Sequence, residues 1–208
     1  MTATLAPTTS SPAPGHRAPA GRPPLAALSV VAGGVLFAVG NALHPMRHDD
    51  AALEAPTWLA AHLTFGAGAV LMAAGIGVLF RRLAPSRLAT AGLAVLWVGL
   101  VLMPIGSITE GYVAPLMGHS HFHELEESIA WFSALAGTAT LLGPLLVCVG
   151  ALRHRLLPAA VALALPAITV GGVLAGGVLP VEGWGIIPGT VVFGLGMAAA
   201  GWVGRRPA

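Results

Sequence analysis

Residues 118–127, Gly-His-Ser-His-Phe-His-Glu-Leu-Glu-Glu, place three histidines and three glutamates in ten positions of a chain with only 9% charged residues. Imidazoles and carboxylates without thiols are the ligand set of zinc, non-haem iron or manganese, and Met46 and Met117, each near histidines, add a thioether that suits copper. His119, His121 and His123 are therefore candidate metal ligands, joined by His44 and His62 from other parts of the chain. A transition metal held this way (zinc, iron or copper, undecided by the ligand set) would lower the pKa of a bound water, with Glu110 or Glu127 as general base. The spacing lacks a His-Glu-x-x-His signature, and alternate histidines suit a strand or loop better than a helix. The plain reading is a solvated loop that takes up metal adventitiously.

Two titratable residues stand apart from that cluster. His62 follows Trp58 by four residues, so it shares the face of Trp58 about 6 Å deeper into a helix. A polar ring at that depth in an apolar segment must turn inward and find a partner. Glu110 closes the segment Ser107-Ile-Thr-Glu110, where an acid is costly unless paired, for instance with Arg47, or hydrated or protonated. Protonated, it would donate to an isoprenoid-like molecule, as in a metal-free cyclase, with Trp131 and Phe132 as cavity walls. A third alternative is b-type haem, with His62 facing His44 or His123. With Ser120 as a helix cap, His123 and Glu127 share one face, although acids in a first turn also simply complement the helix dipole.

The elements that must carry these groups follow from composition. A chain that is 56% hydrophobic, with ten arginines and no lysine, cannot cover itself with charge and requires lipid as its solvent. The expected fold is an all-α integral membrane protein, a bundle of six transmembrane helices over residues 25–204, with spans 25–43, 57–80, 88–108, 128–150, 156–179 and 184–203. Residues 1–24, rich in Pro, Ser and Ala, form a disordered tail, and the first span is an uncleaved helix, not a signal peptide.

Charge sets the orientation. Nine of the ten arginines fall in the tail, in the second-to-third and fourth-to-fifth connections and at the C-terminus, which places both termini in the cytoplasm and the chain in the cell membrane. All eight acids and six of eight histidines (His44, His48, His62, His119, His121, His123) fall at the opposite face, Glu182 in an outer turn. Trp58, Trp131 and Trp184 read as an interfacial aromatic belt, and glycines spaced four apart as close helix contacts.

The partners expected are the lipid bilayer and an apolar small molecule or lipid; scattered arginine pairs exclude a nucleic-acid surface. Cys148, the single cysteine, can form no internal disulfide, and the oligomeric state is not written in the sequence. The Ala, Arg and Gly bias points to a GC-rich bacterial genome. A transporter would call for charge near the midplane, and the spans hold only hydroxyls there. A structural protein without chemistry accounts for everything except the one-sided clustering of titratable groups.

Overall fold

The structure, a computed structural model, describes residues 25–47, 49–175 and 182–205, with only the backbone at 182 and 184. The Pro-rich segment 1–24, His48 and the end of the fifth predicted span lie outside the described residues, as does the side chain of Glu182 and that of Trp184. The described residues form helices and turns, with no strand. In order these are α1 (Leu25–Leu43), α2 (Asp50–Leu53), α3 (Trp58–Gly75), α4 (Gly77–Leu83) and α5 (Arg87–Ile108). A π-helical turn (Thr109–Val113) leads to α6 (Ala114–Met117) and α7 (His119–Ser128), then α8 (Ala130–Arg153), α9 (Ala159–Ala164), α10 (Ala167–Ala175) and α11 (Glu182–Gly204).

Local chemistry sets the boundaries. α1 stops one residue before His44, which Pro45 biases away from helical geometry. α5 starts behind Ser86, whose hydroxyl accepts the Ala89 N–H at 3.3 Å. The histidine-rich stretch is a helix of its own, not the start of the fourth span: Gly118, at φ +76°, ends α6, and the chain turns again at Ile129 before α8.

Five helices are long and apolar enough to cross a membrane: Leu25–Leu43, Trp58–Gly75, Arg87–Met117, Ala130–Arg153 and Gly185–Gly204. The fifth predicted span differs. Pro166 has no N–H to offer the Ala162 carbonyl, so the segment divides into α9 and α10, and among the described residues its apolar stretch runs over Ala159–Ala175.

The long elements pack as a closed ring in the order α1, α3, α5, α8, α10, α11 and back to α1. Glycines allow this closeness. A Cβ on Gly68 would lie 2.5 Å from the Phe37 nitrogen, one on Gly143 2.6 Å from the Leu96 nitrogen, and one on Gly194 2.7 Å from the Gly34 carbonyl oxygen. One half of the ring is filled by Met72, Leu79, Leu93, Leu96, Phe193 and Met197, all at most 2% exposed. Apolar side chains such as Val70, Val101, Leu142 and Val170 point outward and are exposed, the pattern of a bundle solvated by lipid.

Neighbouring helices run in opposite directions, so the end of α1, the start of α3, the end of α5 and the start of α8 meet at one end of the ring, together with α7. Arg81, Arg82, Arg153, Arg155 and Arg205 lie at the other end, where the Arg82 Nε donates to the Leu156 carbonyl at 3.0 Å.

Since the Gly68 contact is with rigid backbone, Gly68→Ala is expected to destabilise the bundle by about 1–3 kcal/mol, whereas Gly77→Ala, with open space around it, is not. Thermal unfolding in detergent checks this; equal midpoints for both variants would contradict the packing.

Candidate functional site

The site begins with a missing hydrogen-bond donor. In a straight α-helix the Pro115 ring would collide with the Gly111 carbonyl. Instead the helix widens by one residue, and the Ala114 N–H reaches back five residues to the Thr109 carbonyl. The next carbonyl in that pattern, that of Glu110, faces Pro115, which has no N–H to give. The Trp58 indole supplies it: Nε1–H donates to the Glu110 carbonyl at 3.0 Å. Gly111 lets the widened turn approach α3, since a Cβ there would sit 3.1 Å from the Cβ of His62.

The same turn aims the Glu110 side chain at His62. His62 is fully buried, its Nδ1 lies 2.8 Å from the Trp58 carbonyl oxygen, and its Nε2 lies 2.9 Å from Glu110 Oε2. A carbonyl only accepts, so Nδ1 carries a hydrogen and donates it. The Nε2–Oε2 contact then holds one shared proton, either as carboxylic acid and neutral imidazole or as carboxylate and imidazolium. Three hydrogen bonds thus close a loop through Trp58, Glu110 and His62. The His44 ring packs over it, 4.8 Å from the His62 centroid and 5.2 Å from the ring of Trp58.

Glu110 is also where three hollows meet. A central cavity of about 450 Å³ lies inside the ring, with walls from all six long elements, among them Phe37, Phe65, Met103, Phe132, Leu141 and Ile168. A cleft of about 320 Å³ towards α7 is lined by Trp58, Glu110, His119, His123 and Glu126. A lateral cleft of about 360 Å³, walled by Ile105, Ile129 and Trp131, shares Gly106, Glu110, Phe132 and Ser133 with the central cavity. The Glu110 side chain, 34% exposed, therefore faces an apolar interior on one side and a polar cleft on the other.

The predicted site residues separate into two groups. His44, His62 and Glu110 come together, with His62 and not Arg47 as the partner of Glu110. His119, His121, His123 and Glu127 lie on exposed α7, where His123 approaches Glu126 at 3.7 Å and Glu127 at 3.5 Å. His119 and His123 line the polar cleft; His121 and Glu127 line none of the three hollows. Among the described residues, no three His, Cys, Asp or Glu side chains are grouped to hold a metal ion. The His44 and His62 rings are too close for a porphyrin to lie between them.

Trp58 is corrected from an interfacial belt residue to a buried one, 3% exposed and bonded to Glu110, whereas Trp131 is 70% exposed as a belt residue should be. Sequence reasoning missed Pro115, five residues after Glu110, which is the signal for the widened turn, and Asn41, the one amide in the apolar segment α1.

A comparison with family models, curated proteins and solved structures finds no match to this chain.

Removing the indole donor orphans the Glu110 carbonyl, so Trp58→Phe is expected to cost about 1–3 kcal/mol. Pro115→Ala restores a backbone N–H opposite that carbonyl and should recover part of the loss in the double variant. A double-mutant cycle by thermal or chaotrope unfolding measures the coupling; strict additivity would show that the two residues do not serve the same carbonyl.

Proposed function

We propose that this chain is a six-span protein of the cell membrane, with both termini in the cytoplasm, that carries out acid–base chemistry on an apolar molecule held in its central cavity. One observation carries the reading: Glu110 is bonded to a fully buried histidine and is at the same time a wall of an apolar cavity. The α9–α10 segment supports the sixth span because it completes the ring between α8 and α11, and its length reaches the lower end of the ~17–25 residues that cross the hydrocarbon core. The arginine-rich end supports the orientation, which puts the Glu110 end outside.

The chemistry follows from the shared proton. In the state with the proton on Glu110, that O–H bond breaks as a bond to substrate forms, and a carboxylate remains. With Nδ1 committed to the Trp58 carbonyl, His62 then turns an Nε2 lone pair towards that carboxylate, an unfavourable contact that drives recapture of a proton. The outer cleft offers the return route, since His119, His123 and Glu126 line it beside Glu110. In the reverse direction the same pair removes a proton from substrate. Apolar walls keep bulk water from the reacting atoms, and the lateral cleft beside Trp131 offers entry from the lipid.

The transition-metal reading, with His44, His62, His119, His121 and His123 as ligands, has less support. Both nitrogens of His62 are engaged, so a metal there would have to displace Glu110 or the Trp58 carbonyl.

The test is deuterium transfer. Protein in proteoliposomes is incubated in D2O with a membrane lipid extract, and the lipids are then read by mass spectrometry. We expect deuterium at carbon in one lipid class, falling at least a hundredfold in Glu110→Gln and in His62→Phe and unaffected by chelators. Labelling that survives both substitutions would overturn the proposal, and loss of labelling on chelation would favour the metal reading.

A further inference from the structure

The polar groups of the central cavity have a common bias. Ser107, Thr140 and Thr190 each donate their hydroxyl hydrogen to a backbone carbonyl of their own helix, at 3.0, 2.8 and 2.8 Å. Asn41, 9% exposed, donates from Nδ2 to the Phe37 carbonyl at 2.8 Å, and no described group donates to its Oδ1. All four line the cavity. Carbonyls only accept, so these four assignments of donor are fixed: the three hydroxyls have only lone pairs left for the cavity, while Asn41 keeps Oδ1 and the second Nδ2 hydrogen. Before reaction Glu110 adds another acceptor, because its proton is shared with His62 on Oε2 and leaves Oε1 free of it; the pair becomes a donor only as that proton passes to substrate. Ser133 is the exception, a hydroxyl on the exposed side.

A cavity that offers more acceptors than donors selects its ligand. A polar head that only accepts, such as an ether, ester, ketone or carboxylate, could take the one remaining Asn41 N–H but would meet the other groups lone pair against lone pair in an apolar surrounding. A head with a hydrogen to give would satisfy an acceptor that is otherwise unpaired. The one-proton Glu110–His62 pair is neutral overall, so it offers no net charge to a cation, and burying an ammonium beside Phe37, Phe65 and Phe132 without a counter-charge is costly. Asn41, Ser107, Glu110 and Thr190 sit towards the Glu110 end of their helices, while Met103, Leu141 and Ile168 form apolar wall.

We infer that the cavity binds a neutral, long-chain alcohol, its hydroxyl donating to Asn41 Oδ1 at the Glu110 end and its apolar chain lying against Met103, Leu141 and Ile168. This rests on the reading of the cavity as a substrate site and names the class of molecule it takes. The volume, about 450 Å³, lies within the range of small-molecule sites.

The experiment uses the full chain in nanodiscs with four probes of equal chain length: 1-dodecanol, dodecyl methyl ether, dodecylamine and dodecanoate. Binding is followed by native mass spectrometry and by the rise in unfolding temperature. Dodecanol is expected to bind at least tenfold more tightly than the ether, the amine and the carboxylate. Asn41→Leu should bring the alcohol-to-ether ratio close to one while ether binding persists; Thr190→Val, a milder change, should lower the same ratio and serves if Asn41→Leu does not fold. Equal binding of alcohol and ether, or tighter binding of amine or carboxylate, would overturn the alcohol assignment while leaving the proton-transfer reading to its own deuterium test. Failure of all four probes to bind would overturn this inference and the cavity reading with it.

Discussion

A single proline sets the geometry on which the rest depends. Pro115 deprives one carbonyl of its helical donor, and that carbonyl belongs to the residue whose side chain is the acid of the site. Trp58 makes up the deficit, and in doing so fixes the backbone of Glu110 against α3. The carbonyl of Trp58 in turn decides which nitrogen of His62 holds a hydrogen, so the His62–Glu110 contact is left with one proton to share. The widened turn, the tautomer and the placement of the acid are consequences of one another here. Among apolar helices each of these polar groups would be costly without a partner, and the closed loop gives each one.

The ring around this loop is asymmetric along its axis. Glycines bring α1 against α3 and α11, and α5 against α8, closely enough that one half is filled by large apolar side chains. Towards the Glu110 end the same helices leave a hollow, and each contributes to its wall. Such a hollow among apolar side chains is where an electrostatic contact is least screened and a proton least easily lost to water. The exposed helix α7 borders it on the polar side, so Glu110 stands between an apolar-walled hollow and a surface that carries His119, His123 and Glu126.

Much of this was legible in the sequence. The depth of His62 below Trp58, its inward turn and the cost of an acid at Glu110 followed from helical spacing and the cost of polar groups in apolar surroundings. The separation of arginines from acids gave the two ends of the bundle. The histidine-rich stretch drew attention away from the site because density of titratable residues is visible in a sequence and burial is not: on α7 these side chains are exposed, and only His119 and His123 border Glu110. Trp58 looked like an interfacial residue because its partner is a carbonyl freed by a proline fifty-seven positions later, a dependence that no local pattern records. The break at Pro166 was visible as a proline, but whether a helix kinks or divides there depends on the neighbours it packs against.

In this geometry His62 donates through Nδ1 to the Trp58 carbonyl and shares one proton with Glu110 through Nε2. Nitrogen-15 spectroscopy of histidine-labelled protein in nanodiscs addresses it directly, with the His62 signals assigned by His62→Phe. The Nδ1 signal is expected to be that of a protonated nitrogen, and the Nε2 resonance is expected to shift on Glu110→Gln. A bare Nδ1, or a His62 spectrum that Glu110→Gln leaves unmoved, would contradict it.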